Sequence, residues 1–470
     1  MQFEREIFIL YDEYGILPAG RCVCMRFDGF RHLLAHWAER QPDAPALRFG
    51  AQSCSFGELL HRVEQRSAQL RAEGNTCMGI LSDGSLDCVI EIFAANAAGL
   101  QAVLLDEQLP EDVLRGLIRY ADIDRLWGDE DLVQELTPAL TGGTADGAGK
   151  LLFFTSGTTE QSKAVVLTDH SLCQSAWNGS QMLPLSREDT LLCLLPLGHV
   201  FGFVCGLLWG LSNGACVALG RGVRHYFDDC AFYSPTAVSV VPLLLEHLLR
   251  ADALGPTLRT VLVGAGDCPA PLLAAAAARG LRISFGYGLT ETSSGVAIST
   301  GGDPFAMDIC PDDTVTLAPD GEILIEAPTC MMQGYYKRPD ATAAVLQDGV
   351  LHTGDLGRFD QEGRLHILGR KKDVLVLPDG TKLYLPEYES EIAEALGIRD
   401  LAVTLRSGRP ILLLHGEISP AEAVQKLRPL MARRPRGQQL TDVLVTNQPL
   451  PRTATGKIKR WELQQKVSVL

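Results

Sequence analysis

The sequence predicts an α/β fold in two parts, a large α/β-layered domain over residues 1–369 and a small α+β domain over 370–470. Three observations carry that expectation. Apolar runs of strand length alternate with helix-spaced stretches through the larger part, the pattern of a layered α/β architecture. After Gly369 the alternation gives way to hairpin signals and separate helices. The charge balance changes at the same place: 25 basic and 46 acidic residues precede Arg370, whereas 17 basic and 11 acidic residues lie from Arg370 onward. A chain of 470 residues also exceeds what one hydrophobic core usually supports.

Taken in order, FRHLLAHWAERQ from Phe30 has helical spacing, ALRFGAQSCSF alternates like a short strand region, and GELLHRVEQRSAQLRAEG reads as a helix closed by Gly74. MGILS and AVLLD are buried strands around the helical DCVIEIFAANAAG. Residues 142–150, GGTADGAGK, form a flexible approach to the next strand. The long apolar stretch Val200–Leu219 is almost long enough to span a bilayer. Gly210, Ser212, Asn213 and Gly214 interrupt it, and basic residues follow it at Arg221 and Arg224 without preceding it, so it reads as a buried Gly-rich segment lining a pocket. TAVSVVP, LRTVLVGAG and LRISFGYG continue the strand series. In the small domain, hairpins are expected around Asp379-Gly380 and Ser407-Gly408, with helices near 386–396 and 420–432.

Bulk properties narrow the function classes. Hydrophobic content of 46% and charged content of 21% describe a folded, water-soluble chain. The net charge of −15 argues against general nucleic-acid binding. No secretory signal is legible in MQFEREIFILYDEYG, and the thirteen cysteines are scattered singly, with the closest pair, Cys22 and Cys24, lacking metal-ligand spacing. A cytoplasmic protein with reduced thiols and no transmembrane segment is expected.

The stretch Leu151–Lys163, LLFFTSGTTEQSK, runs from an apolar strand into five small hydroxyl and glycine residues and then to a lysine. Hydroxyls, backbone N–H donors and a cation make a phosphate cradle, which points to a nucleoside triphosphate. It is not a Walker loop, because Ser162 and Ala164 flank Lys163 where Gly and Ser or Thr would be needed. Taken alone, the same residues also suit a Ser/Thr-rich turn.

Five segments in order resemble the adenylate-forming superfamily, which comprises acyl- and aryl-CoA synthetases, fatty acyl-AMP ligases and peptide-synthetase adenylation domains. They are TSGTTEQSK at 155–163, PLGHVFG at 196–202, GYGLTET at 286–292, HTGDLG with GRLHILGRKKD at 352–373, and PRTATGKIKR at 451–460. The resemblance runs from about residue 30 to the end and is strongest to fatty or aryl acyl-CoA ligases. It implies that Thr155, Ser156, Gly157, Thr158, Thr159 and Lys163 hold the β- and γ-phosphates of ATP. Tyr287 and Gly288 then face adenine, with Gly264, Ala265 and Gly266 bordering it. Thr290 and Glu291 present a hydroxyl and a carboxylate at the α-phosphate, and Glu291 ligates Mg²⁺.

Asp355 reads the ribose diol with Arg370 beside it, since a carboxylate accepts hydrogen bonds from two hydroxyls. Lys457 supplies the cation that offsets repulsion between the carboxylate and the triphosphate. His199 lies near the acyl carboxylate and the thiol entry. The small domain is expected to be mobile, swinging about a hinge at Lys372 so that one site serves adenylation and then thiol transfer. Outside this context, Thr-Glu reads as a helix cap, Asp355 as a turn residue and Lys457 as a surface lysine.

Two departures stand out. Glu160, Ser162 and Ala164 replace the usual Gly, Pro and Gly around Lys163, placing a carboxylate beside the triphosphate. GHVFGFVCGLLWGL has no acidic residue where amino-acid-activating relatives hold the α-amino group, so a non-amino acid is expected. Phe201, Phe203, Leu207 and Trp209 suit a fatty or aryl tail, and a place in fatty acid metabolism is one expectation. The leading reading is an ATP-dependent acyl-CoA synthetase using Mg²⁺ and CoA. Two alternatives remain: an acyl-AMP ligase loading the phosphopantetheine of an acyl carrier protein, and a non-catalytic nucleotide-binding scaffold.

Overall fold

The computed structural model describes residues 25–142, 149–155, 163–266, 268–377, 382–452, 458, 460 and 462–463. Two large sheets form the body. In the nine-stranded sheet the order from one edge is Gln52–Ser55, Pro45–Phe49, Cys216–Leu219, Thr190–Cys193, Ala237–Val240, Thr260–Val263, Arg282–Leu289, Ser294–Ile298 and Asp308–Ile309. Its six central strands are parallel and the edges antiparallel. The six-stranded sheet runs Arg125–Trp127, Cys77–Ser82, Gln101–Asp106, Lys150–Phe154, Ala164–Thr168 and Gly334–Tyr335. Central strands such as CMGILS and QAVLLD are buried at all but their last residue because both faces are covered.

Local chemistry sets the element ends. Ser55 caps the helix Phe56–Glu73 in a reciprocal capping box with Glu58, and Gly74 ends it in the left-handed conformation. Ser85 caps Leu86–Ala98, which is buried along most of its length and packs on the preceding helix. Val200–Ser212 is one helical run with a π-turn over Val204–Leu208. Added Cβ atoms at Gly202, Gly206 and Gly210 would meet the Pro196 carbonyl, the Cys193 sulfur and the Val217 side chain at 2.3, 3.1 and 2.6 Å. That glycine stripe lets the helix press onto its neighbours, and the Ser239 hydroxyl donates to the Cys205 carbonyl in the π-turn (2.8 Å). The expected pocket-lining segment is therefore a buried helix followed by the strand Cys216–Leu219. Among the described residues, no helix is long and apolar enough to cross a membrane.

A third sheet, antiparallel throughout, contains Thr314–Leu317, Glu322–Glu326, Val350–Phe359, Leu346–Gln347 and Leu365–Arg370. Beyond it lie the hairpin Val374–Val376/Lys382–Tyr384 and a three-stranded sheet of Leu401–Arg406, Arg409–His415 and Asp442–Thr446. Helices Leu385–Leu396 and Pro420–Ala432 pack on this sheet around their own core of Tyr388, Ile392, Leu412 and Leu427. Ser407 and Gly408 both have positive φ, as a two-residue hairpin turn requires. Asp379-Gly380 and most of the 142–150 segment lie outside the described residues. The described cysteines are free and mostly buried, and burial pushes the Cys77 and Cys88 thiols up to about 12.

One buried carboxylate stands out energetically. Asp313 is 8% exposed, accepts a hydrogen bond from the Asn178 amide (2.9 Å), and has no partner for Oδ1 among the described residues. Burial, reinforced by the neighbouring Asp312 charge, pushes its carboxyl up to about 7. A folded-state value above the unfolded one adds stability at low pH that is lost as pH rises from about 4 through about 7. Asp313→Asn should therefore melt higher than the parent at pH 8, by up to about 4 kcal/mol, with the gap closing toward pH 4. Denaturant melts across that range measure the difference, and a gap independent of pH would contradict the assignment.

Candidate functional site

The phosphate-cradle segment connects two antiparallel strands. Lys150–Phe154 pairs with Ala164–Thr168, Phe154 opposite Ala164, and the Thr155 amide donates to the Lys163 carbonyl (2.9 Å). Thr155 and Lys163 thus face each other at the neck of the loop. Ser156, Gly157, Thr158, Thr159, Glu160 and Ser162 lie outside the described residues.

From that neck a chain of contacts leads into the other segments. The Lys163 ammonium lies 4.4 Å from the centroid of the Tyr335 ring. Tyr335 belongs to the short strand Gly334–Tyr335, which pairs with Val165 and Val166, and its hydroxyl donates to Glu291 Oε1 (2.6 Å). Burial, then the Glu291 charge, pushes the Tyr335 phenol upward, so it stays a hydrogen-bond donor at neutral pH.

Glu291 sits in the 3₁₀ turn Thr290–Thr292, directly after the strand Arg282–Leu289. The turn is pinned on several sides. The Thr292 hydroxyl accepts from the Leu289 amide (3.1 Å) and donates to the Ser294 carbonyl (3.0 Å), while the Met332 amide donates to the Glu291 carbonyl (2.8 Å). Ser293 and Ser294 have φ of 54° and 112°, a costly conformation for residues with a Cβ. Such strain persists only where the surroundings over-determine it, as these hydrogen bonds do. Gly288 is demanded by the same turn, since a Cβ there would lie 1.7 Å from the Ser294 carbonyl oxygen. The close approach this glycine permits is thus to its own chain.

Tyr287 connects this turn to the third sheet. Its hydroxyl donates to Asp355 Oδ2 (2.8 Å), and Arg370 Nε pairs with Asp355 Oδ1 (2.8 Å). Asp355 and Arg370 are cross-strand partners in adjacent strands, so register alone brings them together. The Asp355 amide donates to the Thr353 hydroxyl (3.0 Å), and Arg370 reaches the Thr353 carbonyl (3.4 Å). Burial, followed by the Asp355 charge, holds the Tyr287 phenol well above its ordinary range.

Gly264 is buried beside the edge of Phe201, 3.0 Å from where a Cβ would stand, which sets the 264–266 turn against the helix of the second segment. Ala265 takes φ of 62° there. His199 is exposed at the start of that helix, where its carbonyl accepts from the Phe203 amide (2.9 Å); no described contact joins it to Glu291 or Asp355. Thr290 lies in the Glu291 turn. Beside Ser294, whose hydroxyl is 3.5 Å from the Cys205 sulfur, a cavity of about 30 Å³ is lined by Ser175, Gly179, Val204, Cys205, Trp209 and Gly295 among others, none of them charged.

Lys457 lies outside the described residues, but the chain on either side is placed. Arg452 and Ile458 form an antiparallel bridge, and Arg452 pairs with Asp400 (2.8 Å). Around Lys372, whose side chain lies outside the described groups, the neighbours point to different bodies. Lys371 pairs with Asp320 (2.6 Å) and Glu322 (3.1 Å) of the third sheet, whereas Asp373 pairs with Arg460 (3.1 Å), which also binds Glu389 (2.8 Å). Sequence reasoning did not single out Tyr335, Thr353 or Arg460. The sole signal for Tyr335 is an aromatic pair after Gly334 in a stretch with no periodicity.

Mg²⁺ prefers oxygen ligands and is usually held by one or two carboxylates together with phosphate oxygens. Glu291 fits that role, with one oxygen fixed by Tyr335, the Thr290 hydroxyl next in sequence and the Lys163 cation across the ring.

These features define an adenylate-forming enzyme, and the chain belongs to the AMP-binding enzyme family, whose model matches residues 34–147 and 149–336. Within it, the chain is similar to 2-succinylbenzoate–CoA ligase of Bacillus cereus, 27% identical over 470 residues, covering 91% of this chain and 96% of the relative. The same-named ligase of Listeria monocytogenes is 26% identical, covering 93% and 100%. Among solved structures, O-succinylbenzoate coenzyme A synthetase of Bacillus subtilis in complex with AMP matches with a TM-score of 0.79 at 25% identity, covering 92% of this chain and 98% of that one. Anthranilate CoA ligase in complex with anthranoyl-AMP shares the fold, with a TM-score of 0.80 at 20% identity.

Gly288→Ala is expected to cost about 2–4 kcal/mol and to displace the Glu291 turn. Thermal melts and equilibrium ATP binding check both parts; a variant with parental stability and binding would show that the turn tolerates a side chain.

Proposed function

We propose that this protein activates an aryl carboxylic acid with ATP to an acyl-adenylate and passes the acyl group to the thiol of coenzyme A. The observation that carries this reading is the run of contacts from Lys163 through Tyr335 to Glu291, continued back along the strand Arg282–Leu289 to Tyr287 and from its hydroxyl to Asp355 and Arg370 on the third sheet. Taken as a phosphate cation, a metal-competent carboxylate and a diol reader, these groups follow the order in which a nucleotide presents γ-phosphate, α-phosphate and ribose, which supports the reading. The names of the similar ligases support coenzyme A as the acceptor.

In this reading the acid's carboxylate oxygen attacks the α-phosphorus and pyrophosphate leaves. Thr155 and Lys163, with Ser156, Gly157, Thr158 and Thr159, hold the departing phosphates. Glu291 would hold Mg²⁺, which when bound would supply charge neutralisation on the polyphosphate. Thr290 orients the α-phosphate, Asp355 and Arg370 hold the ribose, and the Tyr287 face with the 264–266 turn receives adenine. Lys457 offsets the repulsion between the two anions. In the second step the thiol sulfur attacks the acyl carbonyl, its proton is lost, and AMP leaves; His199 stands at that entry. A hinge at Lys372 suits the opposite anchoring of Lys371 and Asp373, and the pairing of Arg370 with Asp355 favours a division after Lys371 over one at 369/370. Scattered free thiols and the supply of ATP and coenzyme A suit a cytoplasmic enzyme.

The segment GHVFGFVCGLLWGL carries no acidic residue, so an α-amino group would lack a partner there and a non-amino acid is preferred. The related ligases are named for an aryl acid, so an aryl substrate is preferred to a place in fatty acid metabolism. Carboxylate-dependent ATP–pyrophosphate exchange across benzoates, straight-chain acids, 2-succinylbenzoate and amino acids should peak on the aryl acids. A peak on straight-chain acids would overturn the aryl preference, and no exchange with any acid despite ATP binding would favour the scaffold. Lys457→Ala should lose exchange by about a hundredfold or more while keeping thioester formation from a supplied acyl-adenylate. Equal loss of both half-reactions would remove Lys457 from its role.

A further inference from the structure

Lys163 and Glu291 carry opposite charges in the same site, yet each has work that a mutual ion pair would undo. A lysine bonded to a carboxylate is partly neutralised toward phosphate, and a carboxylate bonded to an ammonium is partly neutralised toward a divalent cation. Tyr335 stands at both groups. Its hydroxyl holds Glu291 Oε1 at 2.6 Å, at the edge of the ring, and its face receives the Lys163 ammonium at 4.4 Å from the centroid.

The tyrosine is itself fixed. Its amide donates to the Thr342 hydroxyl (2.8 Å), its strand pairs with Val165 and Val166 just beyond Lys163, and it is 7% exposed. The backbone that carries Glu291 is tied to the same stretch through the Met332 amide. One residue therefore sets the position of both charges, through a hydrogen bond for the anion and a quadrupole contact for the cation.

We propose that Tyr335 is a positioning residue that keeps Lys163 and Glu291 apart and aimed, so that both remain available to Mg-ATP. The inference rests on the reading of the site as one for ATP. Its two contacts are separable by substitution. Tyr335→Phe removes the hydroxyl and keeps the ring, releasing Glu291 alone. Tyr335→Leu removes both contacts and lets the lysine and the carboxylate pair directly.

Equilibrium binding of ATP by calorimetry, with Mg²⁺ varied from zero to saturation, tests this without relying on turnover. For Tyr335→Phe, the Mg²⁺ concentration giving half-maximal enhancement of ATP binding should rise about tenfold, with metal-free ATP affinity within about twofold of the parent. For Tyr335→Leu, metal-free ATP affinity should also fall by about tenfold, because Lys163 is drawn away. Adding Glu291→Gln to Tyr335→Leu should restore much of that metal-free affinity, since the competing carboxylate is gone. A merely structural role would lower the melting temperature and all affinities together without this rescue, and would overturn the proposal. So would a Mg²⁺ dependence unchanged in both single variants. Failure of the parent to bind ATP at all would instead strike the reading of the site.

Discussion

The buried carboxylate of Asp355 is the charge around which the site is arranged. At 4% exposure a carboxylate needs hydrogen-bond and charge partners, and Tyr287 and Arg370 supply them from two different strands. Those contacts fix where the nine-stranded sheet meets the third sheet. Because Tyr287 shares a strand with the residues leading into the Glu291 turn, the same contact fixes the turn's starting point. The Lys163 side is set from the six-stranded sheet, through Tyr335 and the pairing of Lys150–Phe154 with Ala164–Thr168. Each sheet contributes one part of the constellation, and no part is held by a single element.

This division explains the strain at the centre. A chain that must leave a strand, expose Thr290 and Glu291, and return as the next antiparallel strand within a few residues has little room to relax. Ser293 and Ser294 absorb the reversal in unfavourable conformations, and Gly288 makes it possible by having no Cβ. The cost is spread over hydrogen bonds from Thr292, Ser293 and Met332, which hold the turn without any ligand. Preorganisation of this kind favours charge stabilisation, because the groups need not reorganise when the ligand arrives.

Much of this was legible in the sequence, for identifiable reasons. The helices Phe30–Arg40, Phe56–Glu73 and Leu86–Ala98, and the strands between them, follow from periodicity and caps that are local properties. Thr290, Glu291, Asp355 and Arg370 were legible because their segments resemble a known family. Tyr335 was not. Its importance comes from a strand of two residues pairing with Val165 and Val166, a long-range register that no local pattern encodes. Arg460 escaped for the same reason, since Glu389 and Asp373 lie far from it in sequence. The pairing of the phosphate strand with an antiparallel neighbour was also invisible, because an apolar run followed by hydroxyls does not say which way the chain turns.

The junction between the third sheet and the small sheet follows a different economy from the site. Asp355 is deeply buried, whereas Lys371 and Asp320 are each nearly half exposed. Exposed pairs contribute little, because solvent screens them and the side chains lose freedom on pairing. The Arg399–Glu246 contact between the small domain and the helix Pro242–Arg250 is exposed on its arginine side as well. Ties of that strength define a preferred arrangement but can be exchanged at small cost. Among the described residues, the two halves are thus tied at Arg399–Glu246 by a contact much weaker than those that set the site within the large one. A change in their relative placement would leave the Asp355 and Glu291 networks intact, while moving the Arg452–Ile458 bridge and the chain it encloses.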